Sequence, residues 1–181
     1  SAADQIAGGA ATLREVGAMA GDNDLLVSVH TAFFTAAEHV RLMEEADSPH
    51  VGLCLDTANA YLVLEDPTDF VTSVAPWVNA KHLKDSAVYL TDDGMDWLGG
   101  SVLGDGVVDL PAIVRMLHDA NPDIALTVED HWGRSNVPIY DPDFLASLPA
   151  VSGAARANFL RHLHQGRSAV DSGRLPTKAA V

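Results

Sequence analysis

Two hydrophobic periods alternate along the chain. Short, nearly continuous apolar runs predict buried strands, and stretches whose apolar residues recur every three or four positions predict amphipathic helices. Ile6, Ala10, Leu13, Val16 and Ala20 make one such stripe, a helix over residues 4–19. LLVSVH (25–30) follows as a short strand rich in β-branched residues. Thr35 and Glu38 have the spacing of a capping box, so a helix starts there and runs to Ala46, with Val40, Met43 and Ala46 facing inward. VGLCLD (51–56) is the second strand. Asp66 and Pro67 then suit the N-cap and first turn of a helix ending near Ala75 and Pro76. A strand over 77–83, a polar glycine-containing loop through Gly106, a helix capped by Asp109 and a strand IALTVE (124–129) complete the alternation. Beyond it the pattern predicts an irregular loop with three prolines, a helix over 153–165 and a mobile polar tail over 166–181.

Strands alternating with helices imply a parallel sheet, in which active groups gather at the carboxyl ends of the strands. Three strands end on polar residues: Asp56 closes VGLCLD, His82 closes WVNAKH and Glu129 closes IALTVE. A carboxylate, an imidazole and a second carboxylate delivered from neighbouring strand ends have the composition of a divalent-metal shell that polarises hydroxyl and carbonyl oxygens. Each has a plainer alternative. Asp56 can cap the following turn, His82 can be a core histidine, and a slip of one residue would exchange Glu129 for Asp130. The expected architecture is an α/β, TIM-barrel-type unit over 1–165 with four parallel strands, half of a barrel whose usual length is roughly 250 residues. Half a barrel leaves two strand edges unpaired, so closure needs a second copy, a chain supplying the other half, or upstream sequence.

Charge narrows the partners. A formal charge of −14 on 181 residues repels phosphate backbones and anionic lipid, which argues against nucleic acid and membrane. The composition, 48% hydrophobic and 20% charged, is that of a folded globular protein, and no run of roughly 18 apolar residues is present. Cys54 is the single cysteine, so no intrachain disulfide can form, and its place within a strand points to packing. These features make the cytoplasm the expected compartment. The GDG segment (104–106) lacks the spacing and lysine of a phosphate loop and reads as a turn, while Asp85 reads as an ion pair or cap. His131 and Trp132 are candidates for the mouth of a pocket, with surface packing as the alternative, and His162 and His164 are expected on a solvated helical face.

SPHVGLCLDTANA (48–60), VAPWVNAKHLKDS (74–86), GDGVVDLPAIVRML (104–117) and LTVEDHWG (126–133), in that order, resemble the carboxyl-terminal half of the xylose-isomerase-like TIM-barrel superfamily of sugar phosphate isomerases and epimerases. The resemblance implies that Asp56, His82 and Glu129 hold Mn²⁺, Mg²⁺, Co²⁺ or Zn²⁺, with Glu129 also moving a proton. It implies a fourth ligand, a glutamate, at the position occupied by Ser28, and a histidine at the position of Asn59. Strand parity puts Leu26, Ser28 and His30 on one face, so Ser28 stands where the missing carboxylate would point. Weak metal binding is the expectation, with water or His30 in the vacant position. His30, Asn59 and Lys84 are the expected substrate-binding residues, although a lysine near a strand end is commonly solvated.

Two-sided epimerisation needs a proton-transfer group on each face of the substrate. Ser28 removes one and leaves Glu129, unless His30 takes the other role, which favours a metal-dependent lyase or single-base isomerase of a sugar, polyol or keto-sugar. The alternative is a non-catalytic subunit that keeps the half-barrel as an interaction surface. An endonuclease of the same superfamily would need a basic groove that this acidic chain lacks.

Overall fold

The computed structural model describes residues 2–129, 133–149 and 152–175. Its frame is a four-stranded parallel sheet in the order β1 (Val27–His30), β2 (Val51–Asp56), β3 (Val78–Leu83) and β6 (Thr127–Val128). These are the four strands expected from the apolar runs, in chain order, as in a partial barrel. The last is shorter than its run: only Thr127 and Val128 pair with β3, although the Glu129 amide still donates to the Leu83 carbonyl.

Helices cover the outer face. α1 (Ala2–Gly21) packs on α2 (Ala36–Ala46), which begins with the full capping box: the Glu38 amide donates to Thr35 Oγ1 and the Thr35 amide to the Glu38 carboxylate. α3 (Pro67–Val74) is capped by Asp66, whose Oδ1 accepts from the amides of Thr68 and Asp69. α4 (Leu110–Ala120) is capped by Asp109. Leu53 and Leu55 of β2 are fully buried with Ile6, Leu42, Val74 and Ile113 in one core. Each such side chain contributes about 1.5–3 kcal/mol on leaving water. Alternate residues Cys54 and Asp56 face the barrel interior, which fixes the direction of the site.

The segment expected as a loop through Gly106 differs. β4 (Asp85–Thr91) and β5 (Gly94–Ser101) form an antiparallel hairpin around Asp92 and Asp93, and β7 (Arg134–Val137) adds to β5. The apolar stretch Ala87–Leu90, followed after Thr91 by Asp-Asp-Gly, is the signal for this hairpin, and Gly94 takes the positive φ that closes it. β7 and α5 (Pro142–Ser147) also lie within the stretch expected to be an irregular loop. From Ser101 to Asp109 the chain is held by one carboxylate: Asp85 accepts from the amides of Ser86, Gly104, Gly106 and Val108. Asp85 is therefore a cap for the GDG turn and makes no ion pair among the described residues.

α6 (Gly153–Asp171) continues past Gln165, where the sequence suggested a mobile tail, and its Gly166, Ala169 and Val170 are buried against β4. A side chain at Gly166 would collide with the Val88 backbone, so glycine allows this contact. His162, expected on a solvated face, instead is inserted between elements: Nε2 lies 2.6 Å from Asp66 Oδ2 and Nδ1 2.9 Å from Tyr61 Oη.

Candidate metal centre

The carboxyl ends of the parallel strands converge. β2 and β3 pair with Asp56 opposite His82, and Glu129 follows β6 with the same parity. His30 ends β1, whose alternating burial leaves Ser28 and His30 on the open face and the two valines half-buried. One ligand atom from each of His30, Asp56, His82 and Glu129 lies within 4.8 Å of the other three. Asp56 Oδ2 is 3.7 Å from His30 Nε2, and Glu129 Oε2 is 3.4 Å from His82 Nδ1. The two imidazole rings stand 5.4 Å apart between centroids.

Local hydrogen bonds hold this arrangement in place. The Asp56 amide donates to Thr31 Oγ1 and Asp56 Oδ1 accepts from the Ala58 amide, so one carboxylate oxygen caps the turn and the other faces the site. The capping reading of Asp56 is thus met by Oδ1, which leaves Oδ2 toward His30 and Lys84. Cys54 Sγ lies 3.8 Å from His82 Nε2. Burial, with the charges of Asp56 and Glu129, pushes its thiol above the ordinary value, so it is protonated at neutral pH.

The donor set suits a divalent cation. Two imidazoles and two carboxylates come from four strand ends, and among the described residues His82 Nδ1 is buried without a hydrogen-bond partner. Lys84 sits in the same group. Its ammonium is 2.7 Å from Asp56 Oδ2 and 2.8 Å from Glu129 Oε2, and its side chain is only 2% exposed. The lysine is held at the backbone too: its amide donates to Thr57 Oγ1, which donates in turn to the Lys84 carbonyl. Desolvation raises the Glu129 carboxyl, but the bond and charge of Lys84, then His82 and Asp56, bring it below the usual carboxylate range. Glu129 is therefore ionised at neutral pH.

The remaining candidates fall around this group. Ser28 donates to Asn79 Oδ1 at 2.7 Å, and Asn59 is buried with its amide given to the Thr31 carbonyl. A cavity of about 570 Å³ opens beside His30, lined by Phe33, Asn59, Leu62, Trp97 and Val137 among others. Trp97 Nε1 donates to the Ala58 carbonyl, which links the hairpin to the strand end bearing Asp56. Sequence reasoning missed Thr31, Thr57 and Trp97, whose roles arise from contacts between elements. Asp130, His131 and Trp132 lie outside the described residues.

The family model for the xylose isomerase-like TIM barrel matches residues 1–151. This chain belongs to that family. Over 95 residues it is 33% identical to the 3-oxo-isoapionate decarboxylase of Pectobacterium atrosepticum, a match that spans 50% of this chain and 33% of that enzyme. Among solved structures, a xylose isomerase domain protein from Planctomyces limnophilus superposes with a TM-score of 0.59 at 23% identity, over 66% of this chain and 44% of that one. A xylose isomerase-like protein from Mycobacterium smegmatis, solved with magnesium, gives 0.59 at 18% identity, over 89% and 50%. D-psicose 3-epimerase, solved in the presence of D-fructose, gives 0.57 at 17% identity, over 93% and 56%. The likeness to these structures is one of fold, and this chain spans about half of their length or less.

Proposed function

We propose that the protein serves a divalent-metal-dependent lyase or single-base isomerase acting on a keto-sugar or sugar acid. The observation that carries this reading is the grouping of His30, Asp56, His82 and Glu129 at the carboxyl ends of four parallel strands. Asp56, His82 and Glu129 would hold the cation, with His30 filling the position left by Ser28. When bound, a divalent cation polarises the substrate oxygen next to the reacting carbon and stabilises the charge that develops there.

The side chains supply the rest. Ionised Glu129 is the proton-moving group on one face of the substrate, and Ser28 has no titratable proton to offer on the other. That asymmetry favours elimination, single-base isomerisation or loss of CO₂ over two-sided epimerisation. Charge points the same way. Asp56 and Glu129 supply two negative charges against one positive charge from Lys84, so a dication makes the site net positive and favours an anionic substrate. The decarboxylase among the relatives acts on an oxo acid by its name, which supports a carboxylate-bearing keto-sugar. The cavity beside His30, with Trp97 and Phe33 on its walls, offers apolar surface for a carbon skeleton, and Asn59 borders it.

A second reading, a non-catalytic subunit, draws on Lys84: the cluster already contains its own cation. Incubation with a panel of 3-oxo sugar acids and Mn²⁺ separates the two. Release of CO₂ that is lost in Asp56→Asn is the expected result. Absence of turnover of every acid, together with no solvent deuterium entering keto-sugars, would remove the enzymatic reading in favour of the subunit.

A further inference from the structure

Lys84 is an unusual occupant of the group of ligands. A buried ion pair gains little net stability, because desolvating the charges offsets most of their attraction. Its retention here is better explained by what it does to the site than by what it adds to the fold. The Thr57 hydroxyl fixes the Lys84 backbone from both sides, and the side chain is only 2% exposed, which keeps its ammonium out of water. The positive charge therefore stays 2.7 and 2.8 Å from one oxygen each of Asp56 and Glu129. These are the two carboxylates that a divalent cation would need.

Resting on the metal reading above, we propose that Lys84 is a built-in counter-ion that competes with the divalent cation for Asp56 and Glu129, so that the site binds metal weakly and exchangeably. Without metal the two carboxylates and the lysine sum to one negative charge, and Ser28 adds none. An incoming cation must share both carboxylates with the buried ammonium already bonded to them. Replacing the ammonium by a neutral group of similar length should relieve that repulsion.

Calorimetric titration with Mn²⁺ alone tests this on the wild type, Lys84→Met, Lys84→Gln and Asp56→Asn. Lys84→Met keeps the length without the charge and is expected to bind Mn²⁺ at least about tenfold more tightly than the wild type. Mn²⁺ should also raise its melting temperature more than that of the wild type, because the metal then supplies the missing positive charge. Lys84→Gln retains a hydrogen-bond donor for the carboxylates and provides the same comparison if the methionine variant does not fold. Equal or weaker affinity in the folded lysine variants, with binding still lost in Asp56→Asn, would overturn the counter-ion role and leave the metal site standing. No Mn²⁺ binding by any form would overturn the metal reading and this inference together.

Discussion

At the scale of single residues, the site depends on where two carboxylates point and what meets them. Asp56 is fully buried at its side chain and satisfied by Ala58 on one oxygen and Lys84 on the other. Asp56→Ala leaves the Lys84 ammonium buried with half of its carboxylate partnership removed, and a loss of about 3–5 kcal/mol is expected in urea unfolding. Ser28→Glu supplies the carboxylate that the resemblance implies at this position, and Mn²⁺ affinity should rise about tenfold by calorimetry. His39 tests burial independently of the metal. Desolvation lowers its pKa despite the bond to the Thr35 carbonyl, and the ring lies edge-on to Phe34 and Phe70. The unfolded chain therefore takes up this proton first as pH falls. Its contribution is complete above about pH 6.5 and declines as pH drops from there toward the lower folded value. Urea midpoints measured between pH 7.5 and 5 should fall less in His39→Leu than in the wild type. Of these residues, Asp56, His82 and Glu129 were legible because a polar group closing a buried apolar strand is conspicuous. The burial of Lys84 was not, since it depends on Thr57 and Asp56, both distant in sequence.

At the scale of elements, the parallel strands and their helices were readable from period, cap and proline position. The boundaries of α2 and α3 follow from Thr35 with Glu38 and from Asp66 with Pro67. What the pattern obscured was the antiparallel sheet, because glycine and aspartate in 92–106 resemble a loop when viewed without the partner strand. Asp85 organises that region through four backbone amides. Asp85→Asn replaces one acceptor oxygen with a donor facing amide hydrogens, and about 2–3 kcal/mol of stability should be lost in urea unfolding. His162 was misplaced for a similar reason: one helical face reads as polar, yet Asp66 and Tyr61 meet it from other elements. Gly166→Ala should loosen α6 from β4, seen as faster amide exchange in β4, because the added carbon meets the Val88 backbone.

At the scale of the whole molecule, β1 and β6 end the parallel sheet among the described residues. Leu26 beside β1 and Val128 in β6 are 64% and 57% exposed, and Phe33 reaches 78%. Apolar side chains on open sheet edges favour association. Sedimentation is expected to show a species heavier than one chain, and Leu26→Lys with Val128→Lys should shift it toward the mass of a single chain. Mass of one chain in the unaltered protein would remove the need for a closing partner. Among the described residues no helix is long and apolar enough to cross a membrane. The barrel frame sets which residues meet, and it makes the central claim measurable. Pulsed electron paramagnetic resonance of Mn²⁺ added to the protein reads nitrogen atoms directly bound to the ion. Couplings from two imidazoles, reduced to one in His82→Ala and again in His30→Ala, are the predicted result, whereas a Mn²⁺ spectrum without nitrogen coupling would contradict a metal held by this group.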